Sequence, residues 1–403
     1  MPRPERRRPL RSAAWGLAAL AALAWLGWPR ADAPVAAAPR PASAPVAAAP
    51  APAGPPAPAR APFSADGARE RQAQRALWQQ RLARAEEALE VYRVSTRYPH
   101  DSQPLDPRSD QADPNAPIVE ERRLEGPGEA AGGPVLQTTQ ERVFVQGAES
   151  VRFTLALRGA DGQRPPLRVL RASARELTEP GRASLYPEVP LDFNDDGRAG
   201  DVQPGDGVHG VQLQPQAQGF AGLSGPIRVA AVLRIGERES QAFFDLLYTD
   251  WAPATWQGAV REAMEDGSLV FGLPVDVREP GRYVVSARVV DARGTPFALL
   301  GFNEEVGTGA QEFRLVLFGR LVRDVKPAFP VALRDVTAFL LHEEGFPDRS
   351  LMPRRDGTVH VSQDHPLDVF GKSEWRSEER SRYLDELGRD VARARTEVER
   401  LGP

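Results

Sequence analysis

Residues 142–157 read RVFVQGAESVRFTLAL. Val143 and Val145, then Val151, Phe153, Leu155 and Leu157, recur at every second position. That is the period at which an extended chain returns side chains to one face. β-Branched and aromatic residues suit a pleated, half-buried surface, and Gly147 supplies a break between the two runs. The pattern predicts two half-buried strands, and it continues downstream. Leu167, Val169 and Leu170 suggest a further strand, as do Val208, Val211 and Leu213; Ile227–Ile235 and Phe243–Tyr248 complete the set. Short strands punctuated by Gly and Pro predict a β-sandwich over residues 139–252. A second group runs Leu269–Val277, Arg282–Asp291, Phe297–Phe302, Phe313–Phe318 and Val336–Leu341. The turns Glu279-Pro280-Gly281 and Asp291-Ala292-Arg293-Gly294 separate its strands, and the reading is a second sandwich over residues 253–345. The fold class is therefore mainly β, with tandem sandwiches.

Helical patterning flanks them. Trp78, Leu82, Ala85, Leu89 and Tyr92 recur at spacings of three and four, predicting a helix over residues 66–98 that ends before Pro99. Leu384, Leu387, Val391, Ala394, Val398 and Leu401 do the same in a C-terminal helix over 373–403, with Ser373 as its cap. The two stripes suit pairing within the chain or docking on a sandwich better than a coiled coil between chains. Residues 99–138 and 346–372 read as irregular, being rich in Asp, Pro and Gly.

Arg3, Arg6, Arg7, Arg8 and Arg11 precede an uncharged apolar run, Ala13–Trp28. This is the layout of a signal anchor over residues 1–28 with a single membrane segment, 13–28. Ala31-Asp32-Ala33 fits a cleavage site, but Pro34 directly after it disfavours the cut. Retention in the inner membrane, with the folded part in the periplasm, is the first expectation; secretion after cleavage is the alternative. Residues 29–65 are largely Ala and Pro and predict an extended, semi-rigid spacer. The bacterial membrane is thus the expected partner of the N-terminal segment.

The 403 residues carry a formal net charge of -4 and no cysteine. A near-balanced charge supplies no basic field for nucleic acid, and without thiols there are no disulfides, thiolate metal sites or Cys nucleophiles. The five histidines are His100, His209, His342, His360 and His365, and none falls in a His-Glu-x-x-His pattern. His360 and His365, near Asp364, form at most a weak metal pair. Gly222-Leu223-Ser224-Gly225 is one residue short of a nucleophile elbow. No phosphate loop or dinucleotide fingerprint is present.

One stretch carries metal chemistry. Asp192-Phe193-Asn194-Asp195-Asp196-Gly197 places oxygen-bearing residues at positions 1, 3 and 5 and Gly at 6, as in an EF-hand loop. Gln203 stands where that loop has Glu, and strands instead of helices flank it. Asp201 and Asp206 supply further carboxylates. The candidate Ca²⁺ ligands are Asp192, Asn194, Asp196, Asp201 and Asp206, with Ca²⁺ as the expected cofactor; the alternative is an acidic surface loop of Asx turns.

The same loop, extended through Gly200-Asp201 and Gly205-Asp206-Gly207-Val208, is similar to the signature loop of choice-of-anchor X proteins. Gly281-Arg282-Tyr283-Val284-Val285, Asp291–Pro296 and Leu315-Val316-Leu317-Phe318-Gly319 resemble later motifs of that family, so that residues 140–341 are covered. The resemblance implies an exported bacterial envelope protein and makes the two sandwiches immunoglobulin-like. The function that follows is a non-catalytic, envelope-anchored binding or scaffold protein, whose partner is an envelope protein or glycan. The alternative is a carboxylate-dependent hydrolase acting on an envelope polymer, because any two acidic residues distant in sequence can meet in space.

Overall fold

A computed structural model describes residues 65–124, 133–159, 162–179, 181–344 and 346–402. The expected anchor, and the spacer as far as residue 64, lie outside the described residues. Helix α1 (Ala65–Ser95) leads into a three-residue strand, β1 (Ser102–Pro104), and an extended segment then enters the first β-domain. That domain holds β2 (Ile118–Arg123), β3 (Val135–Gln140), β4 (Phe144–Gln146), β5 (Val151–Arg158), β6 (Arg168–Glu176), β7 (Val189–Leu191), β8 (Val208–Leu213), β9 (Ser224–Ile235) and β10 (Arg238–Thr249). One sheet has the order β2-β3-β5-β8 and is antiparallel throughout; the other has the order β4-β10-β9-β6-β7, with β4 parallel to β10. Strand β9 buries alternate residues from Gly225 to Leu233, so one face is apolar and the other is not. Phe153, Leu155 and Leu157 of β5 meet Val229, Leu233 and Phe244 of the facing sheet in a single core.

The second β-domain contains β11 (Ala254–Trp256), β12 (Arg261–Glu265), β13 (Ser268–Val277), β14 (Gly281–Val290), β15 (Pro296–Val306), β16 (Gly309–Leu317), helix α2 (Gly319–Val325), β17 (Ala332–Leu341), β18 (Arg349–Leu351) and β19 (Arg355–Val361). Strand β13 takes β16 on one edge and both β11 and β12 on the other. The facing sheet has the order β1-β15-β14-β17-β18, with β19 also on β17. Ser102 pairs with Leu300 and Pro104 with Ala298, so β1 belongs to the second domain although it precedes the first. The first β-domain is therefore an insertion between β1 and β11.

A strap of residues 105–117 makes that insertion possible. The guanidinium of Arg288 on β14, only 7% exposed, donates from Nε to the Gln111 carbonyl at 2.8 Å. Burial holds this group below its usual pKa, partly opposed by the nearby Asp335 carboxylate. Asp335 sits at φ 50° in a β17 irregularity, and its Oδ1 accepts from Asn115 Nδ2 at 3.1 Å and from the Gly357 amide at 2.7 Å. Charged groups so deeply placed persist only when hydrogen-bonded, which ties the strap to the sheet.

Helix α3 (Glu378–Arg400) lies antiparallel to α1. The Tyr92 and Tyr383 rings are 5.7 Å apart, and Arg395 reaches Glu86 at 2.7 Å. The pair is rooted on the second β-domain: Arg97 lies 3.2 Å from Asp324, and Arg380 donates to Thr96 Oγ1 at 3.0 Å and to Glu374 at 2.8 Å. The helical stripes thus pack within the chain. Among the described residues no helix is long and apolar enough to cross a membrane.

Several local expectations are corrected. Residues 99–138 are not irregular but hold β1, β2 and most of β3, and 346–372 holds β18 and β19. Strand β2 (IVEERR) is exposed at all six positions, and β1 and β18 have three residues each, so none displays an alternation to read. The first β-domain accordingly starts near 118 rather than 139. The cap of α3 is Ser377, whose side chain accepts the Arg380 amide, rather than Ser373. Helix α1 stops at Ser95 because Thr96 and Arg97 form the closing turn.

Phe313 on β16 is fully buried, with Phe302, Tyr283 and Trp256 at centroid distances of 5.1, 5.4 and 5.8 Å. Phe313→Ala is expected to cost about 3–5 kcal/mol. Equilibrium denaturation checks this as a lowered midpoint at unchanged slope.

Candidate functional site

The acidic loop joins β7 to β8. Phe193 is buried in the core and Asn194 forms an isolated antiparallel bridge with Gly210, which fixes both ends of the excursion. Gly200 has φ +110°, and an added Cβ would lie 2.4 Å from the Val211 carbonyl carbon. Only glycine lets the loop lie this close to β8. Asp195 is the hub: its carboxylate accepts the Asp206 amide at 3.1 Å and the Gly207 amide at 3.0 Å, and its carbonyl accepts the Gly205 amide at 3.1 Å. Asp201, only 9% exposed, accepts the Gly197 amide at 2.5 Å.

Asp195, Asp201 and Asp206 each offer an oxygen within 4.8 Å of the others, the one such set of three among the described residues. Two of the sequence candidates, Asp201 and Asp206, are in it. The carboxylates of Asp192 and Asp196 are not. Asp192 is exposed, the Asn194 side-chain amide donates to Asp196 Oδ1 and to the Arg198 carbonyl at 3.2 Å, and Asp196 accepts the Arg198 amide at 3.0 Å. The EF-hand template selects alternate residues, whereas this backbone turns at Asp195 and brings that side chain inward. Three carboxylates are hard-oxygen donors of the kind Ca²⁺ takes. Arg164 Nη1, 3.2 Å from Asp206 Oδ2, is the cation already beside them.

His360 and His365 converge on Glu262 of β12. His360 Nε2 lies 2.8 Å from one carboxylate oxygen and His365 Nε2 lies 2.6 Å from the other, while the Gln363 amide donates to both. The Glu262 side chain is 8% exposed. Burial raises its pKa, but the hydrogen bonds from His365, His360 and Gln363 outweigh it and hold the carboxyl below the usual range. The expected pairing near Asp364 is thus a bracket on a glutamate 98 and 103 residues away, joining the β12 edge to β19 and the segment after it. No sequence spacing announced it.

The two β-domains also enclose a cleft of about 300 Å³, with β4 on one side and β17 and β18 on the other.

No family model matches the chain, and no curated protein matches it. Solved structures do. A DUF4785 family protein from Legionella pneumophila is 13% identical, with a TM-score of 0.37, over 57% of this chain and 58% of that one. A chimeric titin Z1Z2 functionalised with an exogenous decorin peptide is 12% identical, with a TM-score of 0.20, over 55% of this chain and 94% of that one. Escherichia coli alpha-2-macroglobulin activated by porcine elastase is 13% identical, with a TM-score of 0.21, over 55% of this chain and 20% of that one.

A carboxyl with a lowered folded pKa contributes stability that is full above its unfolded pKa, near 4.5, and is lost as pH falls through the folded value. Glu262→Gln is therefore expected to destabilise the protein by about 1–3 kcal/mol at pH 7. The gap from wild type should close as pH falls below about 4. Denaturation curves across that range check both parts.

Proposed function

We propose that this protein is a non-catalytic binding or scaffold module of a bacterial cell envelope, with two immunoglobulin-like sandwiches and a calcium-stabilised loop. The observation that carries the reading is the junction. Two β-domains are held together by the strap, by Arg354 of the second domain 3.9 Å from Glu149 of the first, and by the Leu351 amide 3.5 Å from Thr249 Oγ1. A scaffold needs its domains held side by side, and these contacts hold them so. The immunoglobulin-like assignment is supported by the fully buried Tyr283, whose hydroxyl lies 2.7 Å from the carbonyl of Glu279, four residues upstream, in the manner of a tyrosine corner. The resemblance to choice-of-anchor X proteins supports the envelope setting. The charged N-terminus and apolar run 13–28 support an inner-membrane anchor with the folded part in the periplasm; cleavage after Ala33 would instead release it.

In this reading Asp195, Asp201 and Asp206 hold Ca²⁺, and the ion removes the mutual repulsion of carboxylates gathered in one loop. A ligand that binds only the folded state stabilises it by about 2.7 kcal/mol at a hundredfold excess over its dissociation constant. Ca²⁺ is expected to raise the melting temperature of the full chain over that in EDTA. Asp195→Asn should abolish the rise and Asp192→Asn should keep it. An unchanged melt at millimolar Ca²⁺ removes the metal from the account. In-cell crosslinking of the full chain is expected to retain an envelope protein or glycan; recovery of the chain alone under conditions that capture a known envelope pair counts against the binding reading.

A further inference from the structure

We infer that the cleft between the β-domains is a binding site for a small molecule with a compact apolar body and one carboxylate. Its volume, about 300 Å³, lies at the lower end of the range for ligand pockets, and domain junctions are a favoured place for them. The walls are largely apolar. Ile118 and Phe144 of the first domain are 41% and 40% exposed, and Phe339 faces them from β17. The Arg349 guanidinium is held between two rings, 4.6 Å from the Phe339 centroid and 5.5 Å from that of Phe144. Its Nε and Nη2 both go to Asp348 at 2.8 Å, so Arg349 serves as a flat, stacked wall.

The other two arginines of the lining supply the recognition. A guanidinium carries five N–H donors. Arg354 spends one on Asn115 at 3.2 Å and one on Asp356 at 3.3 Å, and its buried Nε has no hydrogen-bond partner. Arg142 gives Nη2 to Glu141 at 2.9 Å, while its Nη1 is 3.9 Å from Glu149. The cleft is thus apolar along its walls, and the Arg142 and Arg354 guanidinium groups come together at the end where Glu149 lies. Glu149 is the internal counter-ion, too far from either guanidinium for a hydrogen bond. A ligand carboxylate with an apolar tail satisfies both features. Such a group belongs to a free organic acid or to the end of a peptide.

The inference deepens the binding reading above. Its test is ligand-observed saturation-transfer NMR on the full chain, with 3-phenylpropionate, its uncharged primary amide, and the tripeptide Gly-Gly-Phe with a free C-terminus. Binding of the acid or the tripeptide, at least tenfold tighter than the amide, is expected, and the stronger of the two names the source. Phe144→Asp, a change at a half-exposed side chain that leaves the core intact, should weaken binding at least tenfold, and Arg354→Gln should do the same. Phe243→Asp, on a residue 50% exposed outside the cleft, should leave binding unchanged. No transfer to either carboxylate, equal binding of the amide, or binding indifferent to Phe144→Asp overturns the inference. If crosslinking captures an envelope partner while these ligands fail, the cleft assignment falls and the module reading stands.

Discussion

The donation from Arg288 to the Gln111 carbonyl is the contact on which the architecture depends. A guanidinium nine-tenths removed from solvent persists only where acceptors surround it, and here the acceptors include the backbone of the strap. Asp335 continues the link through Asn115, and Asn115 passes it to Arg354 at 3.2 Å. One polar network therefore runs from β14, through the strap, to the edge of the inserted domain. The hydrophobic cores hold each β-domain together; this network sets how the chain leaves the second domain and returns to it.

From that constraint the other features follow in order. Because β1 is already committed to the second domain, the helices on either side of the β-domains meet at one end of it. There Arg97, Asp324, Glu374 and the buried Arg380 form a cluster of ion pairs. Because the strap is pinned, Ile118 enters the first domain beside β4, and the edges of the two domains face each other across a cleft rather than across solvent. The acidic loop lies between β7 and β8, so its carboxylates belong to the first domain alone. Its tight path along β8 rests on glycine at Gly200 and on Asp195 as an acceptor.

The sequence carried the parts of this fold that have a wet and a dry side. Strand β9 was readable because every second residue is apolar, and the helical stripes because Trp78 to Tyr92 and Leu384 to Leu401 keep a three–four spacing. Strand β2 was not, because all six of its residues face solvent and its place is fixed by pairing with β3. Insertion of one domain into the other was invisible for a related reason: Ser102–Pro104 is too short to carry a period, and its partner lies nearly 200 residues away. At the acidic loop, the run of carboxylates pointed to Asp201 and Asp206, but alternate-residue spacing passed over Asp195, which the turn of the backbone brings beside them. Glu262 left no local signal, because its two histidines come from β19 and the segment after it, 98 and 103 residues along the chain.

Native-state hydrogen exchange at the strap tests the central claim. The Leu105 amide bonds to the Phe297 carbonyl at 2.9 Å and the Gly301 amide to the Asp101 carbonyl at 2.8 Å. If β1 and the strap belong to the second domain, these amides exchange as slowly as those paired between β14 and β15, and Arg288→Ala speeds exchange across 102–116 before it affects β5 or β9. Fast exchange at Leu105 and Gly301 in the wild type, or an Arg288→Ala variant with unaltered protection there, would contradict the account.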